Sequence, residues 1–327
     1  MNIEPKKVWV VGHKNPDTDS ICAAICYANL KNRLQDGFHY IPKRAGSINE
    51  ETKYVLQHFG VEPPEYAEDA GAQVKDIAFR RTAGVSGHIS LKKAWELMKT
   101  ENVMTLAVTS ASDKLEGLII TGDIAESYMD VYDNHILSRA RTQYKNIVET
   151  LNGTLLAGNE HAYFLRGKVV VATGSRDVIE ECIESDDLVI VGDRDETHIC
   201  ALEENASCMV VTGGTQVSAQ VLEMANRRDC VVIITPYDTF TAARLINQSM
   251  PIKYFMKKEN FVTFDIDDYV DEVREVMSKK RHRDFPVLDD QRRYLGMVSR
   301  RNLLNMHKKK LILVDHNEKS QAIDGIE

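Results

Sequence analysis

No stretch of the 327-residue sequence approaches the roughly 18 consecutive apolar residues that cross a bilayer, so a membrane-spanning role has no segment to carry it. A signal-peptide core is missing as well, because Met1-Asn2-Ile3-Glu4-Pro5-Lys6-Lys7 leads directly toward a strand. A cytoplasmic protein without a membrane partner is expected. Basic excess is also lacking: 41 Lys and Arg against 49 Asp and Glu leave a formal charge of −8. That balance argues against nucleic acid or an anionic membrane as the main partner. Cysteine is sparse and scattered, six residues with only Cys22 and Cys26 four apart. A structural zinc site needs ligand pairs in two places, and the sequence has none, which leaves buried free thiols in a reducing compartment.

What is present reads as a soluble globular chain of two or three domains, 43% hydrophobic and 28% charged. The first segment, 1–66, alternates a strand over 8–11, a helix over 20–32, a strand over 38–42 and a helix over 50–59. This is the start of a parallel α/β sheet. Val61-Glu62-Pro63-Pro64-Glu65-Tyr66 follows as an extended linker, its two prolines forbidding helix. A unit with the order helix, strand, turn, strand, helix occupies 67–131, its last helix over 124–130, and returns at 250–308, an internal repeat. Leu118-Ile119-Ile120 aligns with Gly296-Met297-Val298, each before a polar step and a helix. Between the repeats, 132–249 has its own α/β rhythm, with strands over 169–172, 188–191, 208–211 and 231–234. A last strand over 311–314 ends in Asp315-His316-Asn317-Glu318, within a closing segment 309–327 that reads as a return to the first.

The chemistry gathers at two strand ends. His13-Lys14-Asn15-Pro16-Asp17-Thr18-Asp19-Ser20 sits on the turn after the first strand. Hard divalent cations take carboxylates, and Mn²⁺ also accepts imidazole. In an open parallel sheet, ligands bind at the carboxyl ends of strands. If the first and last strands are neighbours, His13, Asp17, Asp19 and Asp315 converge. Two metals roughly 3.5–4 Å apart could then clamp a phosphoryl group and activate water. The same string is also turn and cap chemistry, in which Asp19 or Ser20 simply caps the helix.

This stretch resembles the first motif of the DHH phosphoesterases, and most closely that of the family II inorganic pyrophosphatases. Val314-Asp315-His316-Asn317-Glu318 resembles their second motif. The two repeats resemble CBS domains, and the segment between them a DRTGG domain, with Val211-Thr212-Gly213-Gly214 at its signature turn. The resemblance implies an α/β fold: an incomplete parallel-sheet DHH domain interrupted by a CBS pair and an α/β DRTGG domain. It implies manganese-dependent hydrolysis of pyrophosphate, with Co²⁺ or Mg²⁺ as other metals. His13 and Asp17 would hold one of two ions, Asp19 the second, and Asp315 would bridge them. The family's Asp-His-His motif and its basic C-terminal domain do not occur before Glu327, so a truncated chain with little hydrolysis of its own is expected. A nucleotide-sensing regulatory protein with a catalytic remnant is the alternative. A DHH phosphoesterase acting on nucleic acid or dinucleotides fits the acidic composition less well.

For the CBS repeats the resemblance implies AMP, ADP or a related adenine nucleotide as regulator, and a homodimer. Asp123, with Thr121 near it, would hold ribose hydroxyls in the first repeat, and Asn302, after Ser299, in the second. Arg281, His282 and Arg283 would face the phosphates, although a cationic helix end is the plainer reading. His39, His58, His88, His135, His161 and His198 have no acidic or thiol partner at ligand spacing, and Trp9 and Trp95 sit in element-forming stretches expected to be core.

Overall fold

The computed structural model describes residues 6–67, 72–130, 133–174, 176–304 and 311–314. Strand β1 (Lys6–Val11), helix α1 (Thr18–Leu34), β2 (Phe38–Arg44), α2 (Glu50–His58) and the short β3 (Glu65–Tyr66) come first. The first repeat follows as α3 (Leu91–Thr100), β4 (Thr105–Thr109), β5 (Leu115–Ile120) and α4 (Thr121–Met129). The middle segment carries α5 (Ile136–Arg139), β6 (Thr142–Gln143), α6 (Tyr144–Thr150), β7 (Thr154–Ala157) and β8 (Tyr163–Phe164). It continues with β9 (Val169–Val171), α7 (Arg176–Cys182), β10 (Leu188–Val191), α8 (Asp195–Glu203), β11 (Cys208–Val211), α9 (Ala219–Arg227), β12 (Val231–Ile234) and α10 (Thr239–Leu245). The second repeat is β13 (Phe264–Asp265), α11 (Val270–Lys279), β14 (Asp284–Leu288), β15 (Tyr294–Ser299) and α12 (Arg300–Leu304), before the last strand β16 (Leu311–Leu313). The chain divides into two compact units, one drawn from Met1–Arg80, Phe264–Phe285 and Met297–Glu327, the other from Arg81–Thr263 and Pro286–Gly296.

In the first unit the sheet order is β16-β1-β2-β3, and every pairing is parallel. Val8 and Val10 point into a core with Ala24 and Ala28 of α1 and Tyr40 of β2. The alanines let α1 lie close over the strands. The expected linker over 61–66 holds a strand pair after all, Glu65 and Tyr66 against Lys43 and Arg44. Proline forbids helix but tolerates a sheet edge, and β3 is that edge.

In the second unit the order is β7-β12-β11-β10-β9, parallel except for β7. The strands Leu188-Val189-Ile190-Val191 and Cys208-Met209-Val210-Val211 are fully buried. Such unbroken apolar runs belong to parallel strands covered on both faces. Their side chains alternate between two cores. Leu188, Ile190, Cys208 and Val210 join Leu91, Leu137 and Ile147, while Val189, Val191, Met209 and Val211 join Ile179, Leu202 and Val221. The Thr212-Gly213-Gly214 turn closes this sheet's carboxyl edge. Gly213 and Gly214 both take left-handed backbone, φ 79° and 66°. Their amides donate to the carbonyls of Tyr237 and Thr235 at 2.7 and 2.8 Å, and Thr212 Oγ1 donates to Val191 at 2.9 Å. The signature turn therefore ties the end of β11 to the ends of β10 and β12.

Four sequence expectations need correction. Helix α4 begins at Thr121, directly after β5, and not at Ile124. Because β5 and β15 end at Ile120 and Ser299, Leu118-Ile119-Ile120 corresponds to Met297-Val298-Ser299, one residue from the alignment read in sequence. Trp95 is 43% exposed, not core. Of the six thiols, Cys200, Cys208 and Cys230 are buried, but Cys26 and Cys182 are exposed. No helix among the described residues is long and apolar enough to cross a membrane.

Candidate functional site

The carboxyl end of β1 sits level with its two neighbours: Val11 pairs with Leu313 of β16 and with Lys43 of β2. The Val314 amide donates to the Val11 carbonyl at 2.9 Å, so the two strands whose ends carry acid and imidazole are adjacent. Asp315, the next residue, lies outside the described residues.

On the turn after β1, His13 Nε2 and Asp17 Oδ1 stand 3.5 Å apart. The i, i+4 spacing brings them together because Asp17 is fixed as the N-cap of α1. Its extended backbone (φ −91°, ψ −177°) turns the carboxylate back, and Oδ1 accepts from the Ser20 amide at 2.9 Å. The cap is thus Asp17, neither Asp19 nor Ser20, and Asp19 falls in the first turn of the helix. A carboxylate beside the free amides of a helix start is stabilised as the anion, the form that binds cations.

Two close approaches hold this turn. A β-carbon on Gly12 would lie 1.8 Å from Ser20 Oγ, and one on Gly46 would lie 2.5 Å from both the Lys14 carbonyl oxygen and Pro16 Cδ. The loop is therefore clamped between the start of α1 and the end of β2. Thr18 Oγ1 and the fully buried Thr52 Oγ1 share a hydrogen bond of 3.0 Å that ties α1 to α2. Ser20 is 3% exposed, and its Oγ has no hydrogen-bond partner among the described residues. The cations at the end of β2 are already engaged: Lys43 Nζ is 2.5 Å from Glu65 and lies over the Trp9 ring, and Arg44 donates to the carbonyls of Pro64 and Gly46.

The donor chemistry, imidazole with carboxylate, suits Mn²⁺ and Co²⁺, and the orphaned hydroxyl beside it marks a site with bonding capacity in reserve. Among the described residues no three His, Cys, Asp or Glu side chains gather to hold a metal. The geometry thus supplies a pair of donors, His13 and Asp17, at a strand end adjoining the strand that runs into Asp315.

The candidates in the repeats prove to have local partners. Asp123 is 7% exposed; Oδ2 accepts from the Ile120 amide at 2.9 Å, and Oδ1 lies 3.2 Å from Lys257 Nζ. Asn302 Oδ1 accepts from the Ser299 amide and hydroxyl at 2.8 and 2.7 Å, and its Nδ2 donates to Ala78 at 2.7 Å. The two side chains do the same job, each satisfying the amide three residues before it at a helix start. Ser299 therefore has Ile120, and not Thr121, as its counterpart. Arg281, His282 and Arg283 are exposed, with the His282 ring edge-on to Phe285 at 6.2 Å. Arg300, one residue into α12, donates to the Met277 carbonyl at 2.5 Å and also to Lys280, so it caps the carboxyl end of α11. His198, expected to lack an acidic neighbour, is fully buried with Nε2 2.8 Å from the Gly192 carbonyl and Nδ1 3.4 Å from Asp195. Sequence reasoning missed the approach of Gly12 to Ser20 and the pairing of Lys257 with Asp123. Both depend on through-space approach, and no spacing rule announces it.

Residues 146–249 match the DRTGG domain family and residues 252–308 the CBS domain family. A cobalt-dependent inorganic pyrophosphatase of Clostridium perfringens is 40% identical over 320 residues, 98% of this chain and 58% of that protein. A probable manganese-dependent inorganic pyrophosphatase of Thermotoga maritima is 34% identical over 322 residues, with the same coverage of 98% and 58%. The chain thus spans 58% of the length of these curated relatives. The crystal structure of the CBS and DRTGG domains of the regulatory region of C. perfringens pyrophosphatase, complexed with the activator diadenosine tetraphosphate, matches with TM-score 0.67 and 36% identity. The match covers 70% of this chain and 100% of that one. With all of that regulatory region represented in its fold, the chain belongs to the family that shares this CBS and DRTGG region.

Proposed function

We propose that this chain carries the first metal-binding segment of a manganese-dependent inorganic pyrophosphatase, interrupted by a module that senses adenine nucleotides. The carrying observation is the pairing of His13 with Asp17 at the end of β1, next to the strand that leads to Asp315. His13, Asp17, Asp19 and Asp315 would hold the two ions; Co²⁺ is the other fitting metal. Two such cations supply the charge that draws on phosphoryl oxygens and acidifies a bound water. The chain's own contribution is positional. The cap on Asp17 fixes its carboxylate, and the Gly12 and Gly46 approaches fix the loop that carries His13. The remaining donors and the grip on pyrophosphate come from polypeptide of the kind that the longer relatives have beyond the matched 58%. The setting is cytoplasmic and the working form a homodimer. Segments 1–66 and 309–327 belong to the catalytic domain, 67–131 and 250–308 to the CBS pair, and 132–249 to the DRTGG domain. AMP or ADP binds at the CBS repeats, through Thr121 and Asp123 in the first and through Ser299 and Asn302 in the second, where Arg281, His282 and Arg283 serve phosphates.

Asp17→Asn separates ligand from cap, because asparagine caps helices as well as aspartate. Titration calorimetry of Mn²⁺ into the chain is expected to show affinity falling about a hundredfold, the loss of roughly 3 kcal/mol for one charged contact, with the melting temperature held. An unchanged affinity would remove Asp17 from the site.

A second reading, a nucleotide sensor with a catalytic remnant, is favoured by the gathering of only two donors among the described residues. It predicts no measurable Mn²⁺ binding by the unaltered chain.

A further inference from the structure

An orphaned cation stands beside the residues of the second repeat assigned above to the nucleotide. Within the first unit, Arg80 and Met297 form an antiparallel bridge, each amide donating to the other's carbonyl, at 3.0 and 2.9 Å. Residues directly opposed in such a pair put their side chains on one face, and residues two apart along a strand share it. Arg80, Met297 and Ser299 therefore face the same way, with Ser299 about 7 Å along β15 from the level of Arg80. Continuing the register sets Ala78 opposite Ser299, and there Asn302 Nδ2 donates to the Ala78 carbonyl at 2.7 Å. Ala78 is exposed, and its methyl leaves the space between Arg80 and Ser299 open.

The hydrogen-bond inventory of this corner lacks a charge. The Ser299 amide and hydroxyl both donate to Asn302 Oδ1, at 2.8 and 2.7 Å. With its proton given away, that hydroxyl can only accept from a ligand, and Asn302 keeps one Nδ2 proton to donate. Neither side chain can neutralise an anion. Arg300 is committed to the carbonyls of Met277 and Lys280, Arg283 has a partner of its own, and Arg281 and Arg301 are exposed. Arg80 is different. Its Nε is buried without a hydrogen-bond partner, and its guanidinium makes no hydrogen bond or ion pair among the described residues. A buried donor on an unpaired cation is costly unless something satisfies it. Nε and the neighbouring Nη form a two-pronged fork that matches two oxygens of a phosphate. We infer that Arg80 grips the phosphate attached to the ribose of a nucleotide held by Ser299 and Asn302, and thereby selects nucleotides over nucleosides. The exposed Arg281 and His282 are left to any phosphates further out. This rests on the reading of Ser299 and Asn302 as nucleotide contacts.

The test is calorimetry of AMP, ADP and adenosine with the whole chain. Arg80→Gln is expected to weaken AMP and ADP by the same factor, about tenfold or more, the share of one charge-assisted contact, and to leave adenosine affinity where it was. Arg80→Lys, which keeps the charge and loses the fork, should fall between. Arg274→Gln, which removes an exposed cation of α11 paired with Asp271, should change nothing. Asn302→Ala should weaken all three ligands. Retained adenosine binding reports a folded site, so a loss confined to AMP and ADP is not misfolding. AMP affinity unchanged in Arg80→Gln but lowered in Asn302→Ala would overturn the role of Arg80 and leave the nucleotide reading standing. Equal losses of adenosine and AMP in Arg80→Gln would also overturn it, because Arg80 would then only support the fold. An unaltered chain that binds none of the three would remove the nucleotide reading itself, and the role of Arg80 with it.

Discussion

At Gly12 the side chain is a hydrogen because Ser20 occupies the space where any β-carbon would go, 1.8 Å from its Oγ. Gly12→Ala is expected to cost about 1–3 kcal/mol of stability, the usual penalty for overpacking, and to weaken Mn²⁺ binding by tilting the loop that carries His13. Adding Ser20→Ala should recover only part of both, since Ser20 Cβ and its carbonyl oxygen remain 3.0 and 3.1 Å from the new methyl. Thermal melts and calorimetry of the two variants check this. The His13–Asp17 pair could be read from sequence because i, i+4 spacing and donor chemistry are local. The Gly12–Ser20 contact could not, because small residues carry no pattern and the approach is set by how α1 folds back on β1. The cysteines divide on the same principle. Burial pushes the Cys230 thiol up to about 12, from an ordinary 9.0. A raised thiol value means that the folded state holds its proton more tightly. The contribution to stability is complete below pH 9 and is lost as pH rises from 9 towards 12. Iodoacetamide at pH 8 should therefore label Cys26 and Cys182, while Cys200, Cys208 and Cys230 react only in urea, as mass spectrometry of the peptides would show.

At the scale of elements, the Thr212-Gly213-Gly214 turn offers a clean measurement of backbone strain. Nothing lies closer to a Gly213 β-carbon than Thr215 Oγ1 at 3.7 Å, or to a Gly214 β-carbon than Pro236 Cα at 3.9 Å. Alanine at either site meets only ordinary van der Waals contact, so its cost is that of the left-handed backbone, about 1–2 kcal/mol. Urea unfolding of Gly213→Ala and Gly214→Ala should show that loss with an unchanged slope, and a loss near zero would mean that the turn relaxes. Element identity was legible wherever apolar runs were unbroken, as in β10 and β11, because burial on both faces leaves no other use for such a run. Element boundaries were less so. The start of α4 was read late because Ile120 stands where a serine would have announced the cap, and the satisfying group, Asp123, comes from inside the helix. In the second repeat Ser299 made the same junction visible. The one-residue slip between the repeats followed from matching hydrophobicity where the shared feature is the cap.

At the scale of the whole molecule, the chain leaves one compact unit for the other and returns, so the metal turn and helices α3 and α4 belong to different units. The DRTGG and CBS segments and the pairing of the last strand with the first were legible because each had its own motif or repeat. Any link between nucleotide and metal is a coupling free energy, and coupling is reciprocal. If AMP at the CBS pair changes Mn²⁺ affinity by some factor, Mn²⁺ must change AMP affinity by the same factor. The expected result is that millimolar AMP raises the melting temperature, since a ligand that binds only the folded form must stabilise it. It is also expected that calorimetric Mn²⁺ affinity differs severalfold with and without AMP, and that the reverse titration returns the same ratio. Stabilisation by AMP with identical Mn²⁺ affinities would mean that the two sites bind independently in this chain, and that regulation needs the polypeptide that the longer relatives carry beyond the matched region.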